Sequence, residues 1–310
     1  MTKRSRRALE KPGPAGFLLV DKPSGWTSHD VVDAARGWFG TRRVGHLGTL
    51  DPLATGVLPL AIRAATKLVP YVTDNRKSYV GSIEFGVETD TLDAEGQVLS
   101  RHEGALPERA AIERALAGFL GEIEQVPPMY SAVKRAGVPL HKLARAGKQV
   151  ERAPKKVRID RVELISYRAP IAELEVDCSP GTYVRTLADD LGRLLGCGAH
   201  LRNLRRRRSG PFALDAALPP DQLAEAAEAG KIERYLVPAA DVLGLEVVQL
   251  GPEEARRVEH GGEVGAPARL VAGARVAALK PGGDLLAVME VMPGRRLKPL
   301  RVLQSVAPAG

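Results

Sequence analysis

One acidic residue, Asp51, stands inside a glycine-flanked loop, Gly45-His46-Leu47-Gly48-Thr49-Leu50-Asp51-Pro52-Leu53-Ala54-Thr55-Gly56. The following proline disfavours the α region for Asp51 and holds it extended. Gly45, Gly48 and Gly56 permit a tight backbone path and close approach of a ligand. Such an aspartate is either a turn starter or a carboxylate aimed at a substrate, as nucleophile or base. Three further places carry candidate chemistry. Tyr79, in Lys77-Ser78-Tyr79, offers a ring for stacking on a base or for packing in a core. In Gly181-Thr182-Tyr183-Val184-Arg185-Thr186, Arg185 can pair with a distant carboxylate or, locally, with Asp189 one turn on. His46 reads as a turn histidine, a catalytic acid or a planar wedge.

The elements that must position these residues follow from the pattern. Phe17 to Val20 is an apolar strand running into the turn Lys22-Pro23-Ser24-Gly25-Trp26. Thr27 and Asp30 fit a capping box for a helix whose core face is Val31, Ala35 and Trp38. From Tyr79 to Val87 apolar and polar residues alternate, as in a strand with one buried face. Ala110–Leu120 reads as helix. Val157–Leu164 and Ala172–Cys178 read as strands, and Val184, Leu187, Ala188, Leu191, Leu194 and Leu195 form the core face of a helix. Strands and helices intermix without a regular βαβ rhythm, which predicts an α+β fold on a mixed or antiparallel sheet. A composition change over residues 236–245 suggests a linker. Beyond it, short β-like runs, a helix near Pro252–Glu259 and the hairpin turn Pro281-Gly282-Gly283-Asp284 make a small β-rich module.

Charge points to the partner. The 310 residues carry a net charge of +8. Lys134, Arg135, Lys142, Arg145, Lys148, Arg152, Lys155, Lys156 and Arg158 face Glu151 alone between residues 131 and 158. A second cluster runs from Arg202 through Arg205, Arg206, Arg207 and Arg208. Two separate one-signed clusters favour a nucleic-acid partner over a merely solvated face. Pro127-Pro128, Gly137 and Gly147 mark residues 127–154 as an excursion from the core, an RNA-gripping arm or a long surface loop. No apolar run spans a membrane, no signal peptide is present, and Cys178 and Cys197 form no metal pattern and read as buried free thiols. The expected location is cytoplasmic. Phosphate-binding loop, dinucleotide and zinc-enzyme motifs are missing, and aromatic residues at 4% do not suit an RRM-type stacking sheet.

Asp21-Lys22-Pro23-Ser24-Gly25-Trp26-Thr27-Ser28 and the Asp51 loop resemble the first two motifs of the TruB family, the tRNA pseudouridine-55 synthases. Ser78-Tyr79 with Thr89-Asp90-Thr91, Gly181 to Thr186, and Leu191-Gly192 through Cys197-Gly198-Ala199-His200-Leu201 to Leu204-Arg205-Arg206 extend the likeness over roughly residues 16 to 210. Leu47 departs from the family's usual small or hydroxyl residue. The C-terminal module looks like the family's PUA-type RNA-binding domain, on weaker motifs.

Residues 1–13 read as a basic tail, and the resemblance implies a pseudouridine synthase domain over 14–238 with the 127–154 arm inserted, and a PUA-like domain over 246–310. It implies conversion of one T-loop uridine of tRNA to pseudouridine, stand-alone, monomeric, without metal or other cofactor, and a role in tRNA folding. Asp51 would be the nucleophile, at C1′ or C6, and Arg185 would hold it ionised. Tyr79 would stack on the flipped uracil and assist loss of the C5 proton, Tyr183 and Leu204 would line the pocket, and His46 would fill the gap left in the loop. Lys22, Pro23, Gly45 and Gly48 would shape the loops. Lys134, Arg135, Lys142, Arg145, Lys148, Arg205 and Arg206 would grip the RNA backbone. A non-catalytic RNA-binding protein and the guide-RNA-dependent branch are the rival readings. The basic arm speaks against the guided branch, and a glycosidase would need a second carboxylate in a comparable setting.

Overall fold

The computed structural model describes residues 11, 13–72, 74–131, 134–135, 138–139 and 150–303. In chain order its principal elements are β1 (Gly16–Lys22), α1 (Ser28–Phe39), β2 (Val44–His46), β3 (Thr55–Ile62), β4 (Lys77–Phe85), β5 (Val87–Thr89), β6 (Val98–Arg101), α2 (Arg109–Ala117) and β7 (Gly121–Gln125). Then come β8 (Lys134–Arg135), β9 (Val138–Pro139), β10 (Lys155–Arg168), β11 (Ile171–Cys178), α3 (Val184–Leu194), β12 (Ala199–Ser209) and α4 (Pro220–Glu228). The C-terminal elements are β13 (Glu246–Gln249), α5 (Pro252–Glu259), β14 (Val264–Gly265), β15 (Arg275–Leu279), β16 (Leu285–Met292) and β17 (Arg296–Val302). The chain divides into two compact units, one of Met1–Leu50, Val57–Asp74 and Gly210–Gly310, the other of Asp51–Gly56 and Asn75–Ser209.

In the first unit β2 runs antiparallel to β3, with His46 opposite Leu60, and β1 pairs with Val237–Pro238. The expected capping box starts α1: the Asp30 amide donates to Thr27 Oγ1, and the Thr27 amide donates to the Asp30 carboxylate. Such a cap stabilises a helix by about 1 kcal/mol. Phe17, Leu19, Val57, Ala61 and Leu68 form a buried cluster that also takes in Ala239, Val242, Leu243, Val288 and Leu303. The 236–245 stretch is therefore not a free linker. It holds a helical turn, Ala239–Leu243, whose apolar side chains complete this core. The C-terminal strands stand in the order β13, β15, β16, β17, β14, with β13 parallel to β15 and the other neighbours antiparallel. They bury a second cluster around Val258, Val276, Met289 and Leu297. A module this small gains by sharing apolar surface with the preceding residues, because alone it buries too little of its chain.

In the second unit β12, β4, β11, β10 and β7 lie side by side, each antiparallel to its neighbour. Thr55 and Gly56 add a short parallel pairing to Arg205 and Arg206. The alternation legible in the sequence is present. Tyr79, Ile83 and Phe85 of β4 and Ala172, Leu174, Val176 and Cys178 of β11 are buried. Leu187, Ala188 and Leu191 of α3 have no exposed surface, whereas Leu194, expected on the same face, is 63% exposed because it ends the helix. Both cysteines are buried and free. Among the described residues no helix is long and apolar enough to cross a membrane.

Candidate active site

Local structure first fixes the loop that carries Asp51. The Ser28 hydroxyl, at the first residue of α1, accepts the Leu50 amide at 2.8 Å and donates to the Leu50 carbonyl at 2.9 Å, both groups buried. This pins the residue immediately before Asp51. The Asp51 carbonyl then accepts the Ala54 amide at 3.1 Å, so the aspartate does begin a turn. Gly48 has φ 120° and Gly56 φ 102°, backbone that side chains resist. At Gly56 a Cβ would also overlap the Arg206 backbone, so this glycine lets the end of the loop lie against β12. Gly45 is different: its φ is not positive and a Cβ there would meet open space. The tight path thus rests on Gly48 and Gly56. In the first unit the Lys22 ammonium is fully buried and donates to the Pro23 carbonyl at 2.9 Å and the Trp26 carbonyl at 2.6 Å, holding the turn before α1.

Arg185, in the first turn of α3, is the centre of the second unit's polar cluster. Its side chain is 4% exposed. Nη2 meets Asp51 Oδ2 at 3.1 Å and donates to the Tyr130 carbonyl at 2.6 Å. Nη1 meets Asp93 Oδ2 at 3.4 Å and the Thr91 carbonyl at 3.5 Å. Asp93 is itself held: its Oδ1 accepts the Thr91 hydroxyl at 2.6 Å and the Glu95 amide at 3.1 Å. A buried guanidinium needs such partners, because an unpaired buried charge is costly. Asp51 remains 38% exposed, the accessible member of a buried triad of charges. Asp189, the local alternative, pairs with Arg193 instead.

The ring residues adjoin this cluster. Tyr79 is buried on β4. Burial pushes its hydroxyl above the ordinary tyrosine value, and the nearby Asp51 charge adds to that, while Arg206 works against it. Tyr183 stands at the N-cap of α3 with the Arg185 guanidinium 5.9 Å from its ring centroid. Its hydroxyl is also raised, first by burial. Leu204 is half-buried on β12, opposite Gly81.

The second unit thus brings together Asp51, Arg185, Tyr79 and Tyr183. His46 ends β2 in the first unit, half-buried. One expectation is corrected. Arg206, expected to grip the RNA backbone, is 1% exposed and lies across from Tyr79. On a strand alternate side chains point to opposite faces, so the run Arg205 to Arg208 could not all face a phosphate chain. Arg205 is exposed, with Nη1 3.3 Å from the Thr55 hydroxyl. Lys134 and Arg135 form β8, paired to β9, with only their backbone described. Lys142, Arg145 and Lys148 lie outside the described residues. The sequence reading missed Asp93. Asp93 follows the quoted Thr89-Asp90-Thr91 by two residues, and that polar run after a strand was its only signal.

The description "TruB family pseudouridylate synthase (N terminal domain)" matches residues 36–184, and "tRNA pseudouridylate synthase B C-terminal domain" matches residues 185–243. These two matches place the chain among the pseudouridylate synthases. The protein named tRNA pseudouridine synthase B from Geobacter sulfurreducens is 42% identical over 93% of this chain and 99% of its own. That of Pseudomonas aeruginosa is 42% identical over 98% and 99%. The chain belongs to the TruB family. Among solved structures, a chain of a Cbf5-Nop10-Gar1 complex superposes with TM-score 0.67 and 26% identity, over 98% of this chain and 88% of that one. A chain of an H/ACA RNP bound to a substrate RNA shares the fold, at TM-score 0.68 and 24% identity over 93% and 85%.

Proposed function

We propose that the protein converts uridine 55 in the T loop of tRNA to pseudouridine, alone and without a cofactor, in the cytoplasm. The observation that carries this reading is the exposed Asp51 carboxylate held 3.1 Å from the buried Arg185 guanidinium. An adjacent fixed cation favours the ionised carboxylate that a nucleophile must be. A stacked base is out of reach, so the uridine is first flipped from the loop. Asp51 attacks C1′ or C6, the C1′–N1 bond breaks, the uracil turns in place, C5 bonds to C1′, and the bond to Asp51 breaks to return the free carboxylate. The C5 proton is then lost and N1 gains one, so atoms and charge balance. Tyr79 lies against the flipped ring and assists the late proton loss, and Tyr183 and Leu204 enclose the pocket. His46 fills the space the base leaves.

Backbone affinity comes from Arg205 and from the basic residues of the 127–154 arm, among them Lys134, Arg135, Lys142, Arg145 and Lys148. The β-rich C-terminal module acts as a PUA-type RNA-binding domain, and the enzyme, a monomer, also assists tRNA folding. The names of the 42%-identical relatives support tRNA as the substrate.

The test is tritium release from a T-arm stem-loop carrying tritium at uridine C5, comparing the native chain with Asp51→Asn. Release that vanishes in the variant while RNA binding persists is the expected result. Tight binding without release by the native chain would sink the stand-alone enzyme and leave a non-catalytic RNA-binding role.

A further inference from the structure

Gln125, the last residue of β7, is 1% exposed, and its backbone stays in the sheet opposite Lys155. Its side chain leaves the sheet and grips one residue of another element. Its Oε1 accepts the Tyr183 amide at 2.9 Å, and its Nε2 donates to the Tyr183 carbonyl at 3.2 Å. Only one orientation of the carboxamide satisfies both bonds, because the amide needs an acceptor and the carbonyl a donor. Tyr183 is the N-cap of α3 and has no side-chain cap of its own. The same carbonyl also accepts the Leu187 amide at 3.1 Å, so Gln125 binds where the helical hydrogen bonding begins.

We propose that Gln125 is a positioning residue for the isomerisation, its buried carboxamide fixing the backbone of Tyr183 and thereby the aim of Tyr183 and Arg185 toward Asp51. This rests on the function proposed above. Three observations separate the role from general support of the fold. Leu187, Ala188 and Leu191 are fully buried and anchor the body of α3 without help from Gln125. The two bonds act only at the helix start, where Tyr183 and Arg185 leave the backbone. A residue just after Gln125 reinforces the same helix start: the Tyr130 carbonyl accepts from Arg185 at 2.6 Å. Residues 125–130 therefore form a strap across the entrance of α3, with Gln125 as its fixed end.

Removing the carboxamide leaves the half-buried Tyr183 N–H without its side-chain acceptor and frees the first turn to shift. A misplacement of about 1 Å at a reacting group costs on the order of 100-fold in rate. The experiment uses the full-length chain with Gln125→Met, which keeps volume but loses both bonds, and Gln125→Glu, which keeps the acceptor alone. Single-turnover tritium release from the T-arm stem-loop, RNA binding and thermal melting are measured on each, and Gln125→Met is repeated in an Arg185→Lys background.

The expected result is a rate about 10- to 100-fold below native in folded protein, with RNA affinity unchanged. The Met substitution should also cost far less in the Arg185→Lys background than in the native one, since residues acting through one another are not additive. Native-like turnover by either folded variant would overturn the proposal. So would a loss that follows melting temperature and RNA affinity alone, or that is fully additive with Arg185→Lys. If Gln125→Met does not fold, the glutamate variant decides on the same criteria. Failure of the native chain to release tritium is a different result, and it removes the proposed function itself.

Discussion

Arg185 gathers four oxygens around two guanidinium nitrogens: the Thr91 and Tyr130 carbonyls and one carboxylate oxygen each of Asp93 and Asp51. Asp93 is 5% exposed at its side chain and Asp51 38%, so the two carboxylates have different work. Asp93 neutralises and orients the arginine from below, and Asp51 faces outward. Asp93→Asn would keep the bonds from Thr91 and Glu95 but present a neutral amide to Nη1. We expect single-turnover isomerisation to fall about 100-fold, because Arg185 loses its fixed orientation. RNA affinity should stay at its native value and melting should drop, since breaking one side of a buried ion pair costs roughly 3–5 kcal/mol. Native turnover by the variant would show that Asp93 does not orient the arginine. The sequence made Asp51, Tyr79 and Arg185 legible because each sits in a local motif with its own spacing. Asp93 and Gln125 escaped notice because their meaning lies in partners 92 and 58 positions away.

Elements convert that side-chain geometry into a fixed frame, and the loop-to-strand junction at Gly56 shows how narrowly. Its φ of 102° and the adjacent Arg206 backbone leave no room for a side chain. Gly56→Ala should lower stability by about 1–3 kcal/mol, the usual cost of strained backbone, and depress turnover as the Asp51 loop moves off β12. Gly45→Ala, on β2 with open space at its Cβ, should change stability by less than about 1 kcal/mol, with either sign small. Denaturant unfolding of both variants checks the pair. Equal effects would mean that the loop tolerates a side chain at either end. In the same motif, sequence alone could not tell the two glycines apart, since the difference is a torsion angle and a neighbour on β12. Period explains the other gains and losses. The two-residue alternation placed the buried faces of β4 and β11 correctly. On β12 the register shifts at Leu201/Asn203 and Arg206/Arg208 break that period, so the inward turn of Arg206 was not legible in the sequence.

At the scale of the whole molecule, several weak acids are buried in their neutral forms. Burial pushes the Cys178 thiol up to about 12 and raises Tyr79, Tyr183 and Cys197 above their ordinary values. For a group whose folded value is raised, the unfolded chain loses its proton first. Stability is therefore complete below the unfolded value and declines as pH rises toward the folded one. For Cys178 that window runs from its reference value of 9.0 to about 12. A rise of that size corresponds to roughly 4 kcal/mol if the thiol titrates fully within the window, at 1.36 kcal/mol per unit. Cys178→Ala removes the group, at a cost of about 1 kcal/mol or more near neutral pH for lost packing. The expected signature is a difference that closes: the variant is less stable than native at pH 7.5, and the gap shrinks or reverses by pH 10.5. Urea unfolding under reducing conditions at the two pH values measures it. Parallel losses in the two proteins would assign the alkaline decline to the tyrosines and Cys197 and leave the Cys178 thiol without a part in it.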